Sequence, residues 1–338
     1  MLVDNTPIDP DRRHAVAALP AALAAGASLL ASAQAQAQQP PAGARPKGPR
    51  VWLEMDQAEL DAAYDQRVYA PNIEQVLARY ASNSELVRAR LGAPRRVAYG
   101  PTPFEAMDVY LTKSRNAPIV VFVHGGAWRG GLAKDFGYAA ETFVNAGAHY
   151  VVPDFINVLE AGGSLLPMAD QVRRAVAWVR RNAASLGGDP ERIYVCGHSS
   201  GAHLAGVVLV TDWQKDFGLP ADTVKAGVLC SGLYDLKAPR LSARSNYIKF
   251  TDEMEQTLSA QRHLDRLHTP IVVAHGTLET PEFQRQSRDF AAVVRAAGKP
   301  VQLVVADGYN HFELPETFAN PYGILGRAAL EIMRLGRA

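Results

Sequence analysis

The chain has 338 residues, 48% of them hydrophobic and 20% charged, with a formal net charge of +1. That is the composition of a soluble globular protein with a sizeable core. Lys, Arg, Asp and Glu are dispersed without a basic patch or stripe, which excludes nucleic acid or an anionic membrane surface as the natural partner and leaves a small molecule.

The first forty residues stand apart. From Ala15 to Ala44 no side chain carries a formal charge, and an Ala/Leu-rich run closes on Ala33-Gln34-Ala35 and Ala35-Gln36-Ala37. With Arg12-Arg13 just ahead, residues 1–37 read as a twin-arginine export signal cleaved after Ala35 or Ala37, so the mature protein is expected in the periplasm or outside the cell. Asp11 and Ala15 stand where such signals usually carry Ser and a bulky residue. Pro20, Gly26, Ser28 and Ser32 dilute the apolar run below what a stable membrane span needs.

A Pro/Gly/Gln-rich linker over 38–50 leads to a single expected domain, 51–338. Its first part, 51–100, shows helical periodicity (Leu60, Ala63, Tyr64; Ile73, Val76, Leu77, Tyr80) and reads as a helical N-terminal layer. From Ala106 strands and helices alternate. The strands are 107–111, 119–123, 150–152, 193–196, 226–229, 271–274 and 301–305. Apolar stripes such as Val172, Ala175, Val176, Val179 and Ala328, Ala329, Ile332, Met333 mark helices. Such alternation means an α/β fold with a mostly parallel central sheet and helices on both faces. Residues 237–268, with Tyr247, Phe250, Met254 and Leu258, read as a small cap inserted between two strands. Cys196 and Cys230 fall near the ends of neighbouring strands, where pairing and simple burial both remain open; neither has metal-ligand spacing.

The chemistry concentrates where strands end. Ile193-Tyr194-Val195-Cys196 runs into Gly197-His198-Ser199-Ser200-Gly201 and then a small-residue helix. A G-x-S-x-G between strand and helix is a nucleophile elbow, in which the central Ser sits on a strained turn with its hydroxyl raised above the sheet. His124-Gly125-Gly126-Ala127-Trp128 follows another strand. Its glycines let the amides of Gly125 and Gly126, with that of Ser200, receive the oxyanion formed when Ser199 attacks a carbonyl. His311, in Gly308-Tyr309-Asn310-His311-Phe312 after the last strand, suits the base that takes the Ser199 proton. The acid that orients it should follow the strand 271–274, where Glu279 lies; Asp235, Glu282 and Asp307 are competing carboxylates. Trp128 and Tyr234 are candidates for the wall of the substrate pocket.

Taken together, HGGAW (124–128), GHSSGAH (197–203), SGLYDL (231–236), PEFQRQSRDF (281–290), GYNHFEL (308–314) and LDAAYDQRVYAPN (60–72) make the chain resemble the arylformamidase, kynurenine formamidase-like branch of the α/β-hydrolase superfamily. The resemblance runs from about Leu60 to the C-terminus. It implies the α/β-hydrolase fold, Ser199 as nucleophile, His311 as base, Glu279 as acid in place of the usual Asp, and an oxyanion loop at His124–Trp128. The implied activity is hydrolysis of carboxylic esters or of aryl or N-formyl amides through an acyl-enzyme, without cofactor or metal. Kynurenine formamidase proper is the narrower alternative, and a non-catalytic binding protein on the same fold the alternative from another class.

Overall fold

The computed structural model describes residues 46–336, so the leader expected over 1–37 lies outside the described residues. Contacts divide the chain between Lys47 and Gly48. After a short antiparallel pair, β1 (Arg50–Trp52) and β2 (Met55–Asp56), come eight strands: β3 (Arg95–Ala98), β4 (Ala106–Tyr110), β5 (Ala117–Val123), β6 (His149–Pro153), β7 (Gly188–His198), β8 (Ala226–Cys230), β9 (Ile271–Leu278) and β10 (Val301–Asn310). They form one sheet in the order β10-β9-β8-β7-β5-β6-β4-β3. All neighbours from β10 to β6 are parallel, while β4 runs antiparallel to both β6 and β3.

Burial on both faces explains why the inner strands β5, β6 and β8 are short, largely apolar runs rather than alternating ones. Along β5, Ile119, Val121 and Val123 join one core and Val120 and Phe122 the other, as the two-residue repeat of a strand requires. The first face is covered by α4 (Leu166–Asn182), α5 (Ser200–Leu209) and α9 (Pro281–Ala296). The second is covered by α2 (Ile73–Leu91), α3 (Ala140–Asn145) and α10 (Ile324–Ile332). Cys196 and Cys230 sit on the same buried face of β7 and β8 as free thiols, and burial pushes both thiols up in pKa.

Two regions depart from the sequence reading. The N-terminal layer holds α1 (Gln57–Ala62) and α2, but also the β1–β2 pair and β3. β3 carries no apolar run because it is an edge: Arg95, Arg96 and Ala98 are exposed, and charge on an edge strand deters pairing with another chain. Beyond the short α6 (Trp213–Phe217), the insertion holds α7 (Lys237–Leu241) and α8 (Asp252–Leu258). Only its first half behaves as a cap. Tyr247 and Arg244 face the cavity described below, whereas Met254 and Leu258 are buried in the core.

Candidate active site

Five parallel strands, β5, β7, β8, β9 and β10, end at one side of the sheet, and each hands its next residues to the same place. In an open α/β sheet this carboxyl edge is where ligands bind. Ser199 follows β7 directly and holds φ 56°, ψ −126°, a region disfavoured for any residue with a Cβ. Packing pins it there. A Cβ on Gly201 would run into the carbonyls of Val123 and His124, and one on Gly197 would lie 2.6 Å from the Gly201 carbonyl, so only glycine lets the helix, the strand and the loop after β5 approach this closely. The Ser199 N–H donates to the Cys230 carbonyl at 2.8 Å, fixing the turn to β8.

The Ser199 hydroxyl lies 2.9 Å from His311 Nε2, and His311 Nδ1 lies 2.9 Å from Glu279 Oε2. With Nδ1 protonated, the ring donates to the carboxylate and offers Nε2 as the acceptor for the Ser199 hydroxyl. Glu279 has no exposed surface. Its other oxygen, Oε1, accepts from the Ser231 hydroxyl at 2.7 Å and the Gly276 N–H at 2.6 Å. The competing carboxylates are occupied elsewhere. Asp235 pairs with Arg262, Glu282 pairs with Arg285 and accepts from the Tyr64 hydroxyl, and Asp307 accepts from Thr277.

Across from the elbow, the loop after β5 brings its backbone against the serine: a Cβ on Gly125 would lie 3.2 Å from that of Ser199. Gly126, Ala127 and Trp128 all have positive φ. Among the described residues the amides of Gly125 and Gly126 have no hydrogen-bond acceptor, and Ser200 opens α5, where the first-turn amides are free of intrahelical partners. These three donors sit beside Ser199.

The cavity above Ser199 has a volume of about 1060 Å³. Gly125, Gly126, His198 and His311 form its floor, and Tyr64, Tyr80, Phe136, Tyr247 and Phe312 supply aromatic wall. Trp128 and Tyr234, expected in that wall, are not there. Their buried rings belong to the core. Trp128, turned inward by its positive φ (61°), donates through Nε1 to His203 Nδ1 at 3.1 Å, and Tyr234 stacks on Phe290 with centroids 4.1 Å apart.

Sequence reasoning also missed the residues that hold the site from behind. Thr280, next to Glu279, donates through its hydroxyl to the Ala63 carbonyl (2.6 Å) and through its N–H to Gln66 Oε1 (3.1 Å). Asn310, next to His311, donates to Asn72 (3.0 Å), and Asn72 donates to Glu313 (2.6 Å). The segment 60–72 thus clamps both the loop that carries Glu279 and the loop that carries His311. Ser231, which holds Glu279, carries a positive φ (55°) at the end of β8. Asn72, Ser231 and Asn310 fall in motifs visible in the sequence and Thr280 just ahead of one, but the bonds Thr280–Ala63 and Asn310–Asn72 span 217 and 238 positions.

Three buried histidines surround the elbow without joining the Ser199–His311–Glu279 line. His198 donates to the His311 carbonyl at 2.8 Å, and burial, then the nearby His311, holds its pKa well below the usual range. Burial also lowers His124, whose ring stacks on Phe155. His203 accepts from Trp128 and donates to the Leu258 carbonyl at 3.0 Å; burial lowers it to about 4. An unfolded imidazole titrates near 6.5. Between that pH and about 4 the unfolded chain takes up a proton that folded His203 refuses, so stability is complete above pH 6.5 and falls as the solution is acidified. Urea unfolding should show a loss on the order of 2 kcal/mol from this group between pH 7.5 and pH 5, reduced in His203→Gln. Equal free energies for the wild type at both pH values would contradict it.

Among the described residues there is no group of His, Cys, Asp and Glu able to hold a metal ion, and no helix long and apolar enough to cross a membrane. The family model BD-FAE matches residues 107–293. The kynurenine formamidase of Danio rerio is 30% identical over 296 residues, covering 83% of this chain and 98% of that protein. Esterase LipC of Mycobacterium tuberculosis is 30% identical over 225 residues, covering 61% of this chain and 56% of its own length. Among solved structures, a Pyrobaculum calidifontis esterase superposes with a TM-score of 0.60 at 18% identity over 86% of this chain and 97% of that one. A thermophilic esterase from Thermogutta terrifontis gives 0.58 at 20% identity, over 72% and 91%. These structures share the fold, and the relatives share the sequence: the chain belongs to the arylformamidase and carboxylesterase branch of the α/β-hydrolase superfamily, and it is a hydrolase of the ester- and amide-cleaving type.

Proposed function

We propose that the protein is a serine hydrolase that cleaves carboxylic esters and aryl or N-formyl amides through an acyl-enzyme, with Ser199 as nucleophile, His311 as base and Glu279 as acid. The observation that carries the reading is the unbroken line from Glu279 through His311 to Ser199, two hydrogen bonds of 2.9 Å ending beneath a cavity. As Ser199 Oγ bonds to the substrate carbonyl carbon, its proton passes to His311 Nε2, and Glu279 supports the imidazolium through Nδ1. The carbonyl oxygen becomes an oxyanion facing the amides of Gly125, Gly126 and Ser200; one such donor is worth roughly 3 kcal/mol in the transition state. When the tetrahedral species collapses, the bond to the leaving oxygen or nitrogen breaks and that atom takes the proton from Nε2. Water, deprotonated by the same nitrogen, then releases the acid and restores Ser199.

Two considerations favour short-acyl aryl esters over N-formylkynurenine. A phenolate leaves more readily than an anilide nitrogen and asks less of His311 as general acid. The leader proposed for residues 1–37 would also deliver the enzyme outside the cytoplasm, where esters and amides from outside the cell are met before any tryptophan metabolite. Steady-state kinetics with p-nitrophenyl acetate and N-formylkynurenine side by side should give the higher kcat/KM for the ester. A clear preference for the formamide would overturn that choice in favour of kynurenine formamidase, the activity named for the fish relative.

A further inference from the structure

The wall of the Ser199 cavity carries two guanidiniums that no carboxylate of the described residues joins. Arg129, just past the loop after β5, and Arg244, in the turn after α7, both line it. Both guanidiniums lie near the Tyr247 ring, at 4.4 and 6.0 Å from its centroid, and that of Arg244 also lies 5.7 Å from the centroid of the Trp128 ring. Among the described residues neither has an ion-pair partner. Arg244 donates to the Tyr247 hydroxyl (2.5 Å) and the Tyr64 carbonyl (3.1 Å), and Arg129 has the ring alone. Two like charges brought to one aromatic ring repel unless an anion joins them. The chain supplies such an anion when the need is internal: Arg240 and Arg262, in the same insertion, converge on the buried carboxylate of Glu255 at 3.1 and 2.8 Å.

Three acids also line the cavity, and none of them pairs with Arg129 or Arg244. Asp61 accepts from the Ala243 N–H (2.6 Å) and from Gln57, Asp65 from the Arg67 N–H (3.1 Å), and Asp135 pairs with Lys134 (2.7 Å). Tyr247 ties the charged wall to the reaction centre, because its hydroxyl donates to the carbonyl of Ala127 (3.2 Å), two residues past Gly125. A guanidinium is a planar fork of N–H donors that matches a carboxylate with two parallel hydrogen bonds.

We propose that Arg129 and Arg244, both beside Tyr247, form an anion subsite of the Ser199 cavity that takes a carboxylate carried by the substrate beside its scissile ester or amide. The inference rests on the serine-hydrolase reading above and narrows its substrate class to carboxylate-bearing esters and amides. A charge-assisted pair of this kind corresponds to a preference of roughly tenfold or more over a neutral substrate of the same shape.

The test uses two matched pairs. p-Nitrophenyl hydrogen glutarate against p-nitrophenyl pentanoate puts the charge on the acyl side, and p-acetoxybenzoate against p-acetoxybenzamide puts it on the leaving side. In at least one pair the charged member should have about tenfold or higher kcat/KM, chiefly through KM, and the ratio should shrink as salt is raised. It should collapse toward one in Arg129→Gln and in Arg244→Gln. Arg129→Gln carries the test even where loss of the Arg244–Tyr64 bond disturbs folding, because the Arg129 guanidinium holds no backbone group. A ratio at or below one in both pairs overturns the subsite while turnover of the neutral esters leaves the hydrolase reading standing. A ratio that survives both variants places the carboxylate elsewhere, and no turnover of any of the four esters fails both readings.

Discussion

Replacing Ser199 with alanine is expected to lower kcat on a p-nitrophenyl ester by about four to six orders of magnitude, because nucleophile and base act as a unit and removing either removes both contributions. The protein should still fold. The turn is held by the close approach of Gly197 and Gly201 and by the Ser199 N–H to Cys230 bond, all of which survive the substitution, and the lost hydroxyl bonds only His311. Steady-state kinetics on the variant, checked for folding by circular dichroism, reads the result. A variant that keeps more than about a tenth of the wild-type rate rules out the acyl-enzyme route.

Glu279→Gln is expected to cost about 10³- to 10⁴-fold in kcat, the range seen when a triad carboxylate becomes an amide. The loss follows from how the side chain is held. Oε1 faces two donors, the Ser231 hydroxyl and the Gly276 N–H, so a glutamine must keep its oxygen there and turn its NH₂ group toward His311 Nδ1. That amide can only donate, which forces the His311 proton onto Nε2 and leaves no acceptor for the Ser199 hydroxyl. Asp235→Asn and Asp307→Asn should stay within about tenfold of wild type, since those groups bond Arg262 and Thr277 rather than the base. A larger loss at Asp235 in folded protein would move the acid to the end of β8.

Much of this was legible in the sequence for a physical reason. Ser199, Glu279 and His311 each directly follow a parallel strand, and the apolar runs 193–196, 271–274 and 301–305 announce those strands even though β10, at the edge, is only partly buried. Ser199, Glu279 and His311 need no knowledge of distant partners to be placed at the same edge of the sheet. What was not legible depends on direction or on distant partners. The aromatic character of Trp128 and Tyr234 says nothing about which way the rings point, and the positive φ of Trp128 turns its indole into the core. The apolar periodicity of the insertion fits a cap or a core helix equally, so Met254 and Leu258 could not be separated from Tyr247 without the fold. Ser231, Thr280 and Asn72 act through bonds to residues far along the chain. β3 lacked any hydrophobic signal because an exposed edge gains nothing from one.

Covalent labelling of the purified protein with a fluorophosphonate, read by intact mass and peptide mapping, isolates the proposed nucleophile. A serine raised on its turn and bonded to an imidazole attacks phosphorus as it attacks a carbonyl and stays phosphonylated. The account predicts one adduct per chain, on the peptide containing Ser199, with ester hydrolysis lost in proportion to labelling and no adduct in Ser199→Ala. An adduct on another residue that abolishes turnover, or full hydrolysis by protein stoichiometrically labelled at Ser199, would contradict it.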